Sequence, residues 1–269
     1  MKIADKVFVV TGGGNGIGRE VVLGLLTRGA RVAAVDLNEA GLAETASLAG
    51  AAATRLSTHV VNIADRPAVE KLPDDVVAAH GQVDGVINVA GIVQRFARVH
   101  ELSFDEIERV MAVNFWGVVN MTKAFLPALM ARPAASLVNV SSMGALVPVP
   151  GQSAYGASKA AVKLLTEGLY AELRGTSVAV TVVFPGGVGT NIVSNSGVAM
   201  TGRMAALANE GSAKVTSAVD AGRQIIDGVE KGSYRVRIGG DARMLDRLSR
   251  LMPKRATELV ASKMKSLLD

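Results

Sequence analysis

The chain of 269 residues is long enough for one large α/β domain or two small ones. Its 49% hydrophobic and 20% charged residues are typical of a globular core and exclude a disordered chain. Cysteine is absent, which excludes disulfides, thiolate metal sites and a cysteine nucleophile. The three histidines, His59, His80 and His100, lack metal-ligand spacing, so we expect no metal.

The net charge of +5 lies entirely in the C-terminal part of the chain. Residues 235–269 carry nine Lys/Arg and four Asp/Glu, and the remainder is balanced. A neutral body argues against nucleic-acid binding. The first residues do not resemble a signal peptide, and no apolar run reaches the roughly 20 residues of a membrane span. We therefore expect a soluble cytoplasmic protein.

Apolar β-rich runs alternate with segments of helical periodicity. The predicted strands are Val7–Val10, Arg31–Val35, Thr54–Val61, Val83–Val89, Ser136–Val140, Val178–Phe184 and Tyr234–Ile238. The predicted helices are Ile17–Arg28, Glu39–Leu48, Pro67–His80, Phe104–Met130, Gln152–Leu173 and Thr216–Glu230. Continuously apolar strands indicate burial on both faces. The pattern predicts an α/β fold, a doubly wound, Rossmann-like parallel sheet of about seven strands with helices on both faces.

Ligands of such a sheet bind beyond the carboxyl ends of its strands. The first strand runs into Thr11–Gly18, whose glycines permit a tight turn and the close approach of a pyrophosphate. The helix that follows offers free N–H groups to an anion. We expect the cofactor contacts here to be Gly12, Asn15, Gly16, Ile17 and Gly18.

Asp36 ends the second strand, about 20 residues after the glycines. Its carboxylate suits both adenosine ribose hydroxyls and repels a 2′-phosphate, and neither Leu37 nor Asn15 adds a positive charge. We therefore predict NAD, with NADP disfavoured, and contacts from Asp36 and Leu37. The alternative for Asp36 is a helix N-cap near Asn38. Arg19 is nearby but belongs to the first helix.

Later strand ends provide candidate contacts to the rest of a dinucleotide. Asn62 and Ile63 suit the edge and the face of an adenine, although an ordinary turn also explains them. The small residues around Asn88, Ala90 and Gly91 allow close approach to a ribose, with a tight turn as the alternative.

The sixth predicted strand ends in Pro185–Thr190. Backbone groups of such a loop suit a carboxamide, and Thr190 suits a phosphate. The predicted contacts are Pro185, Gly186, Val188 and Thr190.

Tyr155 and Lys159 are four residues apart and share one helix face if the segment from Gln152 is helical. An ammonium stabilises a nearby phenolate, so we expect Lys159 to lower the pKa of Tyr155 toward neutrality. Tyr155 would then act as a general acid/base, with Ser142 close by. The alternative is an ordinary Tyr/Lys pair on a solvated helix face. Asn114 lies in an apolar run and must be satisfied if it is buried; a bound water or a helix kink is compatible with a function.

Together these motifs resemble the short-chain dehydrogenase/reductase family over about Lys6–Ile238. The matching positions are Thr11–Gly18, Asn88–Gly91 with Val89 in place of an asparagine, Asn114, Ser142, Tyr155, Lys159 and Pro185–Thr190. Asn62 departs from the usual aspartate of the family.

The resemblance implies an enzyme that transfers hydride between a nicotinamide and a substrate carbon. Tyr155 would exchange a proton with the substrate oxygen, and Ser142 would polarise that oxygen. Lys159 would lower the pKa of Tyr155 and bind the nicotinamide ribose together with Tyr155. Asn114 would anchor a water that links Lys159 to solvent. The resemblance also implies a homo-oligomer, dimer or tetramer, that uses the helical regions 104–130 and 152–173.

Three segments should border a small-molecule substrate: Ile92–Val99, Met143–Gln152 and Gly187–Ala213. Their mostly apolar residues predict a hydrophobic ketone or secondary alcohol. Three arginines here either meet an acidic group or are solvated: Arg95, Arg98 and Arg203.

We expect a single domain. Residues 1–240 should form its cofactor-binding part, with a substrate lid at about 190–213, and residues 241–269 a C-terminal helical extension of the same domain. Apolar residues at helical spacing, interrupted by Pro253, predict two basic amphipathic helices there. We favour docking of these helices on the body or on a second subunit. Contact with an anionic membrane surface is the alternative.

The predicted function is an NAD-dependent oxidoreductase that interconverts a secondary alcohol and a ketone. A non-catalytic NAD-binding or scaffold protein is the alternative, although it would not need the full set of Ser142, Tyr155, Lys159 and Asn114. An epimerase or dehydratase of a related fold is a third possibility, but the Gly-x-x-Gly-x-x-Gly pattern of those enzymes does not occur here.

Overall fold

The computed structural model describes residues 1–198 and 215–265. Seven parallel strands form its main sheet: β1 Val7–Thr11, β2 Arg31–Asp36, β3 Leu56–Val60, β4 Gly85–Asn88, β5 Ala135–Val140, β6 Val178–Pro185 and β9 Arg235–Ile238. Their order is β3-β2-β1-β4-β5-β6-β9. A second, two-residue parallel pair joins β7 Val188–Gly189 to β8 Thr216–Ser217. The sheet confirms the predicted fold class.

Six helices connect the strands as far as β6: α1 Gly16–Thr27, α2 Glu39–Leu48, α3 Arg66–His80, α4 Phe104–Met111, α5 Gly117–Met130 and α6 Ser153–Glu172. The helices after β6 are the short Ile192–Asn195, then Ala218–Lys231, Gly240–Leu251 and Pro253–Lys263. Shorter 3-10 turns span Gly50–Arg55, Val99–Glu101 and Met143–Ala145. Each helix in the described part of the chain is too short or too polar to span a bilayer.

The predicted long helical region over 104–130 is helical throughout, but its hydrogen-bond pattern changes in the middle. α4 and α5 are joined by a π-helical turn, Ala112–Trp116, that contains Asn114. The first residues of the predicted strand Thr54–Val61 belong to the 3-10 turn that precedes β3. Turns of the π type often mark functional sites, because the extra residue re-aims a side chain.

The sheet has a hydrophobic core on each face. Successive strand residues point to opposite faces, so Phe8 and Val10 of β1 join one core and Val7 and Val9 join the other. The first core packs under α1 and Ala218–Lys231, and the second packs under α3, α5 and α6. Burial on both faces explains the continuously apolar strands.

The helices Gly240–Leu251 and Pro253–Lys263, here called the C-terminal helix pair, dock on the body. Leu245, Ala256 and Val260 form a buried cluster with Val147, and Leu146 packs against that cluster. The two predicted helices are present, and their apolar residues pack on the body, one of the two docking modes expected. Their apolar side supports the segment that follows Ser142.

Ion pairs fasten the C-terminal helix pair to the last strand. Asp246 is 3% exposed and accepts hydrogen bonds from Arg237 Nη1 at 3.2 Å and Arg250 Nε at 2.9 Å. Arg235 lies 3.6 Å from Asp246 and also pairs with Glu167 of α6. This network joins β9, α6 and the first helix of the pair.

Candidate active site

The turn from β1 into α1 requires glycine. Gly12 and Gly16 have φ values of +73° and +51°, a region that residues with side chains rarely adopt. A Cβ on Gly12 would lie 3.0 Å from the backbone of Ala90. The turn therefore brings the chain close to the end of β4 and presents the first N–H groups of α1, which lack intrahelical acceptors.

A cavity of about 480 Å³ opens at the carboxyl ends of β1 to β4. This edge includes the point where strand order reverses between β1 and β4, the usual ligand crevice of such sheets. The predicted cofactor residues that line this groove are Gly12, Asn15, Gly16, Ile17, Gly18, Asp36, Leu37, Asn62, Ile63, Ala90, Gly91 and Thr190.

Further groove residues were not among the predicted cofactor contacts, although the last three and Ile92 belong to segments expected to border the substrate: Val35, Asn38, Val61, Val89, Ile92, Val113, Asn191, Ile192 and Asn195. Val35, Val61 and Val89 directly adjoin predicted positions at the strand ends, so the strand pattern itself could have indicated them. Ile192 and Asn195 come from the short helix after Thr190, for which the sequence gives no periodic signal.

Asp36 fastens the end of β2 to the glycine turn. Its Oδ2 accepts a hydrogen bond from Gly14 N at 2.9 Å, and its Oδ1 accepts one from Asn38 N at 3.0 Å. The N-cap of α2 is Asn38, whose side chain accepts from Gly41 N at 3.0 Å. Asp36 thus lines the groove and is not the helix cap considered above.

Arg19, which contacts the glycine turn, is already paired. Arg19 is 13% exposed and forms an ion pair with Glu44. The guanidinium also donates to Thr45 Oγ1 at 3.0 Å and to the carbonyl oxygen of Gly14. Arg19 therefore ties α1 to α2 beneath the glycine turn.

Asn62 and Ile63 combine the turn and the groove roles. Asn62 Oδ1 accepts from Ala64 N at 3.0 Å, which is an Asx-type turn. Ile63 is 6% exposed, and its carbonyl accepts from Asn120 Nδ2 at 3.0 Å. Both residues still line the groove, so the ordinary turn does not exclude a ligand contact.

Asn88 lies behind the groove lining and does not face the groove. It is 2% exposed and lies outside the groove lining; its Nδ2 donates to Asn139 Oδ1 at 2.8 Å. Asn139 Nδ2 in turn donates to Thr166 Oγ1 at 3.0 Å. This buried chain of amides joins β4, β5 and α6.

The loop after β6 contains the remaining predicted cofactor residues, and only Thr190 of these lines the groove. Thr190 lies against the glycine turn, since its Cγ2 would be 3.4 Å from a Cβ on Gly16. Pro185 ends β6 and pairs with Ile238 of β9, Gly186 N donates to Ile238 O, and Val188 of β7 pairs with Thr216 of β8.

Tyr155 lies in the first turn of α6, and its ring and the Ser142 hydroxyl both lie beside Gly144, 3.8 Å and 3.5 Å from where a Cβ on that glycine would be. Ser142 Oγ also accepts from Gly144 N at 3.0 Å, which holds the hydroxyl in place. Burial raises the pKa of Tyr155, and the Ser142 hydroxyl opposes that rise. The direction is opposite to the one expected from the Tyr155–Lys159 spacing, because desolvation of the phenolate outweighs its stabilisation.

Lys159 is 3% exposed, and its Nζ donates to the carbonyl oxygen of Val140 at 3.1 Å. Burial lowers the pKa of its ammonium to about 8. A Cβ on Gly91 would lie 3.0 Å from Lys159 Nζ and 3.2 Å from Asn114 Oδ1. Gly91 thus connects the groove to these two polar side chains.

Asn114 is fully buried, and its side chain makes three hydrogen bonds. Its Oδ1 accepts from Ile92 N at 2.8 Å, and its Nδ2 donates to Ile92 O and Ser158 Oγ, both at 2.9 Å. Ser158 Oγ donates to the carbonyl oxygen of Tyr155 at 2.7 Å. The helix irregularity considered for Asn114 is present, and it directs the amide toward α6.

Gln94 positions the start of α6, a role not predicted from the sequence. It is 4% exposed, its Oε1 accepts from Tyr155 N at 3.1 Å, and its Nε2 donates to Gly151 O at 3.1 Å. The sequence signal that could have indicated this role is a polar side chain within the apolar stretch around Val93.

The segments expected to border the substrate are only partly described. Val93 N donates to Ser196 Oγ at 2.9 Å, and Arg109 Nη2 donates to Ser196 O at 2.6 Å, which anchors Ile192–Asn195. Arg95 pairs with Glu106 at 2.8 Å, and Arg98 lies 3.7 Å from Glu101. Arg203 and most of the expected lid, residues 199–213, lie outside the described residues.

The family model for short chain dehydrogenases matches residues 6–200. This chain belongs to the short-chain dehydrogenase/reductase family. SadH of Mycobacterium tuberculosis, whose name describes an oxidoreductase, is 41% identical over 261 residues, which cover 96% of this chain and 94% of SadH.

Two solved members of the family have the same fold. A short-chain dehydrogenase/reductase from Burkholderia phymatum in complex with NAD is 26% identical, with a TM-score of 0.85 over 96% of this chain and 97% of the other. A short-chain dehydrogenase from Burkholderia cenocepacia in complex with NADP is 27% identical, with a TM-score of 0.78 over 97% and 99%. The predicted family and oxidoreductase class are confirmed.

The groove of this family member fits a nicotinamide dinucleotide. Positive-φ glycines and the start of α1 suit a pyrophosphate, and the carboxylate of Asp36 suits ribose hydroxyls. Thr190 closes over the glycine turn, and Gly91 leaves room beside Lys159.

Proposed function

We propose that this chain is an NAD-dependent oxidoreductase that interconverts a secondary alcohol and a ketone, with Tyr155 as the general acid/base. One observation carries the proposal. Ser142 and Tyr155 come together at Gly144, where a Cβ would lie 3.5 Å from Ser142 Oγ and 3.8 Å from Tyr155 Cε1. Lys159, one turn further along α6, lies against Gly91, which lines the groove, whereas Ser142 and Tyr155 lie outside the groove lining.

Each polar group has a role that its environment supports. Tyr155 gives its proton to the substrate oxygen during reduction and removes one from the alcohol during oxidation. Ser142 donates a hydrogen bond to the same oxygen and polarises it. Bound nicotinamide would donate or accept the hydride.

Lys159 supports the proton transfer. Because burial lowers its pKa to about 8, Lys159 can release and regain a proton near neutral pH. Its ammonium would also bind the nicotinamide ribose. Asn114 Oδ1 lies beside Gly91, 3.2 Å from where a Cβ on that glycine would be. Asn114 would anchor the water through which this proton reaches solvent.

The preference for NAD rests on Asp36. Its carboxylate is held at the groove by Gly14 N and Asn38 N, where it suits ribose hydroxyls and repels a 2′-phosphate. Arg19, the basic residue closest to the glycine turn, is paired with Glu44 and has no unpaired charge to offer such a phosphate.

Apolar residues support a hydrophobic substrate. Met143, Leu146, Val147 and Val149 follow Ser142 and pack toward the C-terminal helix pair. Apolar residues so close to Ser142 in the chain favour a ketone or alcohol with apolar substituents over a charged one.

A homo-oligomer is part of the proposal. The helices that the family resemblance places at an interface expose large apolar side chains: Phe104 at 81%, Trp116 at 49% and Leu164 at 69%. Exposed apolar groups on one set of helices suit a subunit contact.

Tyr155→Phe tests the catalytic proposal. NADH binding should persist, whereas turnover of a panel of hydrophobic alcohols and ketones, followed by nicotinamide absorbance, should fall by several orders of magnitude. Tyr170→Phe is the matched control, since Tyr170 lies on the same helix with 40% of its surface exposed. Substantial turnover by Tyr155→Phe would refute the mechanism. A wild-type protein that binds NADH but turns over none of the panel would support the non-catalytic alternative.

A further inference from the structure

Asp241 reaches from the first turn of Gly240–Leu251 to the loop after β6. Its Oδ2 accepts a hydrogen bond from Gly187 N at 2.8 Å. Gly186 and Gly239 enclose the carboxylate so closely that a Cβ on either glycine would overlap it. The Asp241 carboxylate therefore fits only because Gly186 and Gly239 have no side chains.

Two more bonds hold the same two residues of the loop. Gly186 N donates to Ile238 O at 2.9 Å, and Gly187 O accepts from Thr216 N at 2.9 Å. Three elements therefore bond to Gly186 and Gly187: the end of β9, the start of β8 and, through Asp241, the C-terminal helix pair. The next residue, Val188, is thereby fixed in position.

The chemistry of Asp241 suits this role. A carboxylate in the first turn of a helix is stabilised by the helix dipole, and a bond from a backbone N–H to a charged acceptor is stronger than one to a neutral acceptor. The short aspartate side chain fits between Gly186 and Gly239, whereas a glutamate would be too long for the enclosed space.

We propose that Asp241 is a positioning residue for the nicotinamide end of the cofactor. By holding Gly187, it fixes the backbone of Val188, which would meet the carboxamide. The proposal rests on the proposed function, because it assumes that a nicotinamide dinucleotide occupies the groove. It also gives the C-terminal helix pair a role on the cofactor side of the site, in addition to its packing against Val147.

Binding measurements on Asp241→Ala and Asp241→Asn test the proposal. ADP-ribose serves as the second ligand, because it contains the adenosine and pyrophosphate but lacks the nicotinamide. We expect Asp241→Ala to weaken NADH binding about tenfold, as the loss of one charge-assisted hydrogen bond implies, and to leave ADP-ribose binding within about twofold. Asp241→Asn, whose amide oxygen can still accept from Gly187 N, should recover most of the NADH affinity.

Steady-state kinetics provide a second readout. In Asp241→Ala the KM for NAD should rise about tenfold, while the KM for the alcohol stays within about twofold, because the loss is confined to cofactor binding. Asp105→Ala is the matched control, since Asp105 lies in the first turn of α4 and its loss also removes an acid from a helix N-terminus. That control should bind NADH like the wild type.

Gly186→Ala keeps the test decisive if Asp241→Ala does not fold. The added Cβ displaces the carboxylate, so this variant should also weaken NADH and spare ADP-ribose. Wild-type NADH affinity in Asp241→Ala, or an equal loss of NADH and ADP-ribose affinity in the folded variants, would overturn the proposal and leave the proposed function intact. A wild-type protein that does not bind NADH would overturn both.

Discussion

Asn114 Nδ2 donates a hydrogen bond to Ser158 Oγ at 2.9 Å, which joins the π-helical turn to α6 one residue before Lys159. The same amide bonds both polar backbone groups of Ile92, at the lip of the groove. One side chain therefore sets the relative positions of the groove wall and the helix that bears Tyr155 and Lys159.

Asn114→Ala should impair both stability and turnover. Three hydrogen bonds are lost and the backbone of Ile92 loses its partners, so we expect the free energy of unfolding in urea to fall by about 2–4 kcal/mol. Turnover at saturating cofactor should fall at least about tenfold. Thr181→Val is the control, because it removes a buried bond to Ser233 O on the far side of the sheet. Unchanged turnover in folded Asn114→Ala would contradict the assignment of Asn114 to the site.

Ser142→Ala should move the pH dependence of alcohol oxidation upward. Tyr155 must be deprotonated to accept the proton, and the Ser142 hydroxyl lowers the pKa of Tyr155. Without that hydroxyl the pKa rises, so the midpoint of kcat/KM against pH should shift to higher pH, with a lower plateau because the substrate oxygen is less polarised. A downward shift would show that Ser142 does not stabilise the phenolate.

Asp36→Ala should relax the choice of cofactor. The variant no longer repels a 2′-phosphate and loses its acceptors for the ribose hydroxyls, so the ratio of kcat/KM for NAD to that for NADP should fall at least about tenfold. Glu39→Ala removes an acid from the first turn of α2 and should keep the wild-type ratio. A wild-type enzyme that already prefers NADPH would refute the role of Asp36.

Lys159→Met should change how stability depends on pH. The folded chain binds the Lys159 proton with a pKa of about 8, against an ordinary value of 10.5, so between these values the unfolded chain holds more protons. Stability then rises with pH across this window, by about 3 kcal/mol for this group. Urea unfolding from pH 7 to 10 should show the wild-type free energy increasing relative to Lys159→Met. Lys163→Met, on the same helix, controls for the loss of a lysine, and a decreasing difference would contradict the burial of the ammonium.

The strand ends and their motifs were predictable because they depend on local patterns. Each βαβ unit places its loop at the same edge of the sheet, so Thr11–Gly18, Asp36 and Gly91 could be assigned to one groove from their order alone. The kink at Asn114 had a signal as well, since a polar residue interrupts an apolar helix.

Contacts between distant segments were not predictable from such patterns. Gly187 and Asp241 are 54 residues apart, and their bond depends on how the C-terminal helix pair leaves β9. The pKa of Tyr155 also depends on burial from several elements, whereas its spacing from Lys159 describes only one helix. Spacing therefore singled out Tyr155 as the candidate acid/base but gave the wrong direction for its pKa.

The packing of Leu245 and Val260 on Val147 has a consequence for co-translational folding. Ile238 ends the last strand of the main sheet, and the residues that cover Val147 are translated after it. Until the C-terminal helix pair has emerged from the ribosome, the nascent chain exposes the apolar segment that follows Ser142, the kind of surface that chaperones recognise. Docking of the C-terminal helix pair then buries this segment.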